Sequence, residues 1–433
     1  MANISPFQGV RFNPRSVEIA KVVCPPYDII SPDAQKSFYS QDGHNIIRIE
    51  LGLDTPDDTE QDNRYTRAGR YLSEWMAQEI LVPESKPAIY LYTMDYRHPR
   101  EGAKILKGFY SRVELEEIGR GRIFPHEWTF PKAKQDRLQL LRAVRANTSP
   151  IFSMFSDPDN ACIARLEAAA GGRRPDIDII QDGVRHRVWV ITDPEALGAV
   201  SERLRDQPLF IADGHHRYET ALNFQKEMRA NSPSRTPMPW DYVFMYCANM
   251  DDPGLSLLPI HRVVLNPLPV AAAVVLERLA RRFELLPVAA AASPTATRDT
   301  LLDRMHVEAN RTVFGVVVGR GPDFYLARLR SEEKPASARV VDQLDVTHFQ
   351  RLVLEEAFGM QDSAAKKENQ IQFIKDEDAA LRLLAAGDAG IVFFLNPTRI
   401  QQVRGVVLAG DRMPQKSTYF FPKPVTGLVL NKL

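Results

Sequence analysis

Four apolar residues, Leu209-Phe210-Ile211-Ala212, run directly into Asp213-Gly214-His215-His216-Arg217, after which Tyr218, Ala221, Leu222 and Phe224 recur at helical spacing. This pattern constrains the chain more than any other in it. A strand has to stop at Asp-Gly, turn within a residue or two, and restart as a helix. Such a junction leaves the first N–H groups of the helix without intrahelical acceptors, and the helix dipole adds partial positive charge at the same end. An anion is favoured there. Gly214 permits a positive φ or close approach of a phosphate. His215, His216 and Arg217 supply side-chain donors in consecutive order, and arginine can grip a phosphate through two parallel hydrogen bonds. Asp213 is out of place beside an anion unless it holds a divalent cation, a ribose hydroxyl or the basic residues themselves. The bland alternative is an N-cap aspartate with two surface histidines; two adjacent histidines plus an arginine at a glycine turn favour the functional reading.

Composition sets the frame for that site. The chain has 433 residues, 44% apolar and 25% charged, which is ordinary globular usage and, at roughly 100–200 residues per domain, allows about two to four domains. Its 55 Lys plus Arg balance 55 Asp plus Glu, so gripping nucleic acid through global charge is not its expected work, and any anion must be held locally. No run of about 18 uncharged apolar residues is present and no membrane partner is expected. The N-terminal residues lack a basic segment followed by an apolar one, and a cytoplasmic location is the default expectation. Cys24, Cys162 and Cys247 are odd in number and far apart, which predicts buried free thiols rather than a disulfide framework or a CxxC metal site.

Along the chain, residues 22–30 and 45–51 read as short strand-like and loop segments, with Pro25-Pro26 making a rigid loop. Periodicity predicts a helix over 64–78, strands over 88–93 and 106–115, a loop over 123–129 and a helix over 134–146. Residues 266–330 suggest a small α+β appendage whose Pro- and Ala-rich stretch 289–297 is the best linker candidate. Beyond it come helices over 346–358, 377–386 and 400–409, a strand over 390–395 and the polar loop 413–418.

Two other runs are candidates for chemistry. Pro125-His126-Glu127, followed by Thr129 and by Lys132, Lys134 and Arg137, places a carboxylate on a loop between strand and helix, where it could deprotonate an attacking hydroxyl. Equally, Glu127 could cap the next helix and the lysines form a solvated face. Lys416-Ser417-Thr418, between Arg412 and Lys423, could complete an anion pocket or be a plain turn; the Gly-x-x-x-x-Gly spacing of a nucleotide P-loop is absent. His261 and His348 read as structural histidines, and Pro26-Tyr27-Asp28 as a rigid turn or a pocket wall. There is no His-Glu-x-x-His run, no zinc ligand spacing, no Gly-x-Ser-x-Gly elbow and no dinucleotide fingerprint.

Taken together, Cys24-Pro25-Pro26-Tyr27-Asp28, Pro125-His126-Glu127-Trp128-Thr129, Ala212 through Ala221, Leu258-Pro259-Ile260-His261-Arg262 and Met413 through Phe420 resemble the family called domain of unknown function 1015, over nearly the whole chain and in the same order. Within it, residues 105–265 resemble the ParB/sulfiredoxin-like fold, particularly its free-serine kinase branch. The resemblance implies an α+β protein in three parts: an N-terminal α/β domain over 1–104, a ParB/sulfiredoxin-like catalytic core over 105–265 and a C-terminal α+β region over 266–433. It also implies a phosphotransferase with an alcohol acceptor, forming O-phosphoserine from free L-serine and a nucleotide. Glu127 falls at the position of the family's base, and Asp213 through Arg217 on its Asp-Gly-His-His-Arg turn. Residues 128–212 separate the two, more than in the compact kinases, and the sulfiredoxin cysteine is absent, which excludes sulfinic acid reduction.

The expectation is therefore a kinase in which Gly214, His215, His216 and Arg217 bind phosphates, Glu127 and Asp213 act in catalysis, and Asp213 helps hold Mg²⁺. ATP or ADP is the donor. His126, Thr129, Lys416, Ser417 and Thr418 are candidates for substrate contacts, and a homodimer is left open. The rivals are a nucleotide-binding, ParB-like regulatory switch, and a phosphatase or nuclease using the same anion pocket.

Overall fold

The computed structural model describes residues 3–129, 131–232, 236–320, 323–331, 339–360 and 370–433. It is a mixed α and β protein that divides into two compact units, residues 1–256 with 420–433, and residues 257–419. Among the described residues no helix is long and apolar enough to cross a membrane.

The first unit is organised by a nine-stranded sheet. From one edge its strands run Ile123–Pro125, Leu209–Asp213, Ile151–Phe155, Tyr242–Asn249, Gly102–Glu114, Ile89–His98, Val184–Ile191 and Ile177–Gln181, with Ile4–Ser5 added along Gly102–Glu114. Most neighbours are antiparallel. Two pairs are parallel: Ile123–Pro125 with Leu209–Asp213, and Tyr242–Asn249 with Ile151–Phe155. Alternating residues of these strands, among them Leu91, Phe109, Phe155, Ile211 and Met245, form one core with Ile163 and Leu166 of helix Ala161–Ala170, Val200 and Leu204 of helix Pro194–Leu204, and Tyr218 and Leu222 of helix His215–Asn231. The three- and four-residue spacings on the helices present one apolar stripe to the sheet.

The boundary expected at residues 104/105 falls inside a hairpin, since Ile89–His98 and Gly102–Glu114 pair from Tyr90↔Tyr110 to His98↔Gly102. The N-terminal residues also share a core with later ones: Ile46, Ile49, Leu72 and Trp75 pack with Leu140, Val144 and Leu430. Helix Arg64–Ala77 forms as its periodicity predicts, opened by an Asn63/Thr66 capping box and burying Ala68, Leu72 and Trp75. Residues 45–51, by contrast, are not strand-like, because Ile47–Glu50 is a helical turn. Asn45 accepts from the Ile47 N–H at 2.9 Å and donates to Lys21 O at 2.7 Å, an Asx-type turn that starts the helical geometry. Buried Ile47 and Ile49 mimic strand alternation in the sequence.

The C-terminal segment returns to the first unit. Cys24 and Thr426 exchange both backbone hydrogen bonds, as do Val10 and Leu430, and Leu433 N–H donates to Arg145 O. The three cysteines are unpaired and buried. Burial is the largest influence on each thiol, raising it above its ordinary range, so none has thiolate character at neutral pH.

The second unit is a six-stranded antiparallel sheet in the order Phe283–Pro287, Asp323–Leu329, Val313–Val318, Ala389–Leu395, His261–Leu265 and Ile371–Ile374. The stretch 289–297 is not a linker between units. Ser293 caps helix Pro294–Val307 by accepting from the Ala296 N–H at 3.2 Å, and Thr297 Oγ1 accepts from the Ala291 N–H at 2.9 Å. Residues 346–358 are helical but not uniformly α, with Asp345–His348 passing into a π-helix over Phe349–Ala357.

Candidate functional site

Strand Leu209–Asp213 ends as expected, and helix His215–Asn231 follows after one residue. That residue, Gly214, has φ +92°, outside what a side chain tolerates comfortably, and a Cβ there would lie 3.0 Å from Nε and Nη2 of Arg217. The turn therefore needs glycine for its backbone and for the guanidinium folded against it. The strand is bulged just before the turn: Ile211 pairs with Ser153, but Asp213 pairs with Phe152. A bulge bends a strand and re-aims its side chains, a common device beside functional sites.

The parallel pairing brings the distant motif in. Ile123–Pro125 lies beside Leu209–Asp213 in the same direction, with Ile211 opposite Pro125, so both strands leave the sheet at the same end. His126 and Glu127 thus emerge beside the turn although residues 128–212 separate them in sequence. The His126 backbone N–H donates to His215 Nε2 at 3.2 Å, and the two rings meet edge to face with centroids 4.6 Å apart. His215 Nε2 is then an acceptor, and in the neutral ring the proton resides on Nδ1. His126 is buried and donates from Nδ1 to Ile211 O at 2.7 Å. Burial lowers its pKa to about 4, so it is neutral at physiological pH and serves to fasten the loop rather than to present a charge. Glu127 follows it, with Oε1 at 3.9 Å from His126 Nε2 and its side chain 22% exposed.

Asp213 has its two oxygens engaged by cations. Lys423 Nζ donates to Oδ1 at 2.9 Å, and Arg217 Nη2 donates to Oδ2 at 3.2 Å. Burial alone would push this carboxyl up; Lys423 first and Arg217 second outweigh it and hold it well below the usual carboxylate range. Of the readings open for Asp213 from its sequence context, neutralisation by basic residues is the one the geometry shows. A carboxylate so occupied does not fit direct ligation of a divalent cation, and among the described residues no group of three or more His, Cys, Asp or Glu is arranged to hold a metal.

Lys423 also reaches Asp28 Oδ2 at 3.4 Å, joining the Pro25-Pro26-Tyr27-Asp28 loop to the turn. Arg217 continues the network inward. Its Nη1 donates to Ser149 Oγ at 3.1 Å and to Pro150 O, while its Nε is buried without a partner. Ser149 in turn donates to Glu50 Oε1 at 3.0 Å; Glu50 also accepts from Thr148 and from Arg137 Nη1 at 3.4 Å. The Arg137 guanidinium lies 4.1 Å from the centroid of the Tyr27 ring, and burial raises the Tyr27 hydroxyl to about 12. Arg217 is thereby pinned from three sides. The cavity behind it, lined by Glu50, Arg137, Ser149 and Thr220, measures about 40 Å³, room for little more than a water.

The remaining expected residues fare differently. Thr129 Oγ1 and Lys134 Nζ both donate to Glu219 Oε2 at 2.7 Å, so they tie the loop to helix His215–Asn231. His216 is half-buried in the first turn of that helix. Lys416, Ser417 and Thr418 belong to the second unit. Ser417 is buried and donates to Pro414 O, while Lys416 is exposed and its carbonyl accepts from Arg262 Nη2 at 2.9 Å, so Ser417 at least is a structural residue. His261 and His348 are buried in the second unit. From the sequence, Asp28 reads only as part of a rigid turn or pocket wall and Lys423 only as a flank of the 416–418 run, while Ser149 and Glu50 carry no signal there. Lys423 is distant in sequence from every other member of the turn, and only the backbone pairing of the C-terminal segment brings it there.

A family model described as a protein of unknown function, DUF1015, matches residues 4–347. No curated protein matches. Among solved structures, a free serine kinase in complex with AMP aligns with a TM-score of 0.36 and 14% identity over 74% of this chain and 92% of that one. A conserved hypothetical protein from Pyrococcus furiosus gives 0.35 and 13% over 74% and 93%. SbnI from Staphylococcus aureus, truncated at its C-terminus, gives 0.33 and 13% over 72% and 82%. Likenesses of this degree assign no reaction.

Proposed function

We propose that this chain, which belongs to the DUF1015 family of proteins of unknown function, is a nucleotide-dependent kinase of a small alcohol, with free L-serine as the leading acceptor and a ParB/sulfiredoxin-like core around the Asp213 turn. The observation that supports the reading is the parallel pairing of Ile123–Pro125 with Leu209–Asp213, which brings the loop that bears Glu127 next to the turn read here as an anion site. An anion site alone would serve many functions. An anion site with an adjacent carboxylate on a loop fastened by buried His126 is what transfer to a hydroxyl requires.

In this reading the terminal phosphates of ATP or ADP lie at Gly214 and the first turn of helix His215–Asn231, held by backbone N–H groups, His215, His216 and Arg217. Glu127 accepts the proton of the serine hydroxyl as its oxygen attacks the terminal phosphorus; the bond to the bridging oxygen breaks and the shortened nucleotide leaves. Lys423 and Arg217 offset charge building on the transferred group, where most phosphoryl-transfer catalysis originates. Asp213 acts as a positioning residue, holding those two cations in place before substrate arrives. Magnesium would supply charge neutralisation on the nucleotide, but Asp213 as arranged is not its ligand. Trp128, 62% exposed beside Glu127, offers an aromatic face for a nucleobase.

The test is incubation of the purified protein with L-serine, Mg²⁺ and either ATP or ADP, scored for O-phosphoserine. Product with at least one donor, abolished in Glu127→Gln, is expected. No phosphoserine with either donor, or full activity in Glu127→Gln, would sink the proposal.

A further inference from the structure

A second cavity lies away from the turn. It measures about 690 Å³ and is lined wholly by residues of the second unit, within the size range of metabolite sites. Its wall carries two arginines, Arg311 and Arg399, against one carboxylate, Asp345, with the carboxamides of Asn310 and Asn396 and the ring of His348 between them. Arg282, Arg298 and Arg328 each hold a carboxylate at 2.9 Å or closer, whereas among the described residues neither Arg311 nor Arg399 has one within 4.0 Å. Arg399 Nη1 instead donates to Asn310 Oδ1 at 3.3 Å, an arrangement that aligns a guanidinium and an amide on one rim.

Two guanidiniums with no carboxylate within 4.0 Å among the described residues, lining one concave space with side-chain amides, supply the kind of donor set that recognises a carboxylate or a phosphate ester. Asp345 is at the wall too, where burial, only partly opposed by a hydrogen bond with Thr312 and then by Arg399, raises its carboxyl to about 6. It can accept from a hydroxyl or amine on the same ligand. We propose that the second unit carries a binding site of its own for a small organic anion, held at its oxyanion end by Arg311 and Arg399 and by Asn310. The site is independent of the reading given to the Asp213 turn.

The test is isothermal titration calorimetry of the full chain with citrate, glucose 6-phosphate and inorganic phosphate, using glucose as the uncharged control. Citrate and glucose 6-phosphate separate a carboxylate from a phosphate-ester preference. Saturable binding of at least one of the three, with none for glucose, is expected; it should weaken about tenfold or more in Arg311→Gln/Arg399→Gln and less than about twofold in Arg217→Gln. The exposed Arg311→Gln alone, which removes no ion pair among the described residues, should weaken it about threefold or more, so that a poorly folding double variant does not decide the matter. No saturable binding of any of the three anions at millimolar concentration overturns the proposal. So does binding unchanged in the arginine variants, or binding lost in Arg217→Gln instead, which would place the anion at the turn.

Discussion

The Asp213 turn and the cavity of the second unit both gather arginine, but they treat its charge in opposite ways. At the turn, Lys423 and Arg217 are paired with Asp213, and Arg217 is held further by Ser149 and Pro150. In the cavity, Arg311 and Arg399 have no carboxylate partner among the described residues. Paired charges stay in one geometry when no ligand is present and yield part of that pairing when a phosphate arrives. Unpaired ones keep their full attraction but are less fixed. The first arrangement suits a reacting group that must be positioned closely; the second suits recognition.

The largest effect should separate chemistry from binding at the turn. Glu127→Gln is expected to lower the rate of phosphoserine formation by about 10²- to 10⁴-fold, the range for loss of a general base, while nucleotide affinity measured by calorimetry changes little. A parallel loss of affinity would make Glu127 a structural residue of the loop.

Next comes pH. His126 and His186 are both buried with pKa values lowered to about 4, burial being the main cause in each. In the unfolded chain each titrates near 6.5, so between about 6.5 and 4 the unfolded state binds more protons. Their contribution to the first unit's stability is full above about pH 6.5 and lost as pH falls toward 4, up to roughly 3 kcal/mol for each ring. Urea midpoints measured from pH 7 to pH 4.5 should fall accordingly, and His186→Phe should flatten part of the slope.

Gly214→Ala forces a Cβ onto a φ of +92° and against the Arg217 guanidinium. A cost of up to about 3 kcal/mol in stability is expected, with nucleotide binding weakened in the same variant. Lys423→Met leaves Asp213 with Arg217 alone and should cost about 2 kcal/mol, with nucleotide affinity down roughly tenfold. Equal affinity in Lys423→Met would show that the turn's pairing is structural only. The smallest change belongs to Thr129→Val: the hydroxyl is engaged by Glu219, so a loss of about 1 kcal/mol in stability is expected, with serine KM nearly unchanged.

Much of this was legible in the residues themselves where the determinants are local. The strand-glycine-helix junction at Leu209–Asp213 and His215–Asn231, the helix Glu377–Ala386 and the capped helix Arg64–Ala77 all announce themselves within a few positions. Residues 45–51 misled because buried isoleucines at alternate positions look alike in a strand and in a short helical turn; Asn45's bond to the Ile47 N–H, with its side chain anchored on Lys21 and Val23, decides it. The domain division was harder still, since the first unit is completed by pairings outside its sheet, such as Cys24 with Thr426. Such pairings depend on chain ends meeting in space, and no local periodicity records them. The place of Lys423 is unreadable for the same reason: the sequence shows it only as a flank of the 416–418 run, and so leaves the basic residues as one of three open readings for Asp213.

The most direct test of the turn as a phosphate site is a crystal structure of the protein with ADP. Phosphate oxygens should lie within hydrogen-bonding distance of the backbone at Gly214–His216 and of Arg217, with Lys423 turned from Asp213 toward them and Glu127 facing the open side. Phosphates bound elsewhere, with Asp213, Lys423 and Arg217 still closed on one another, would contradict the account.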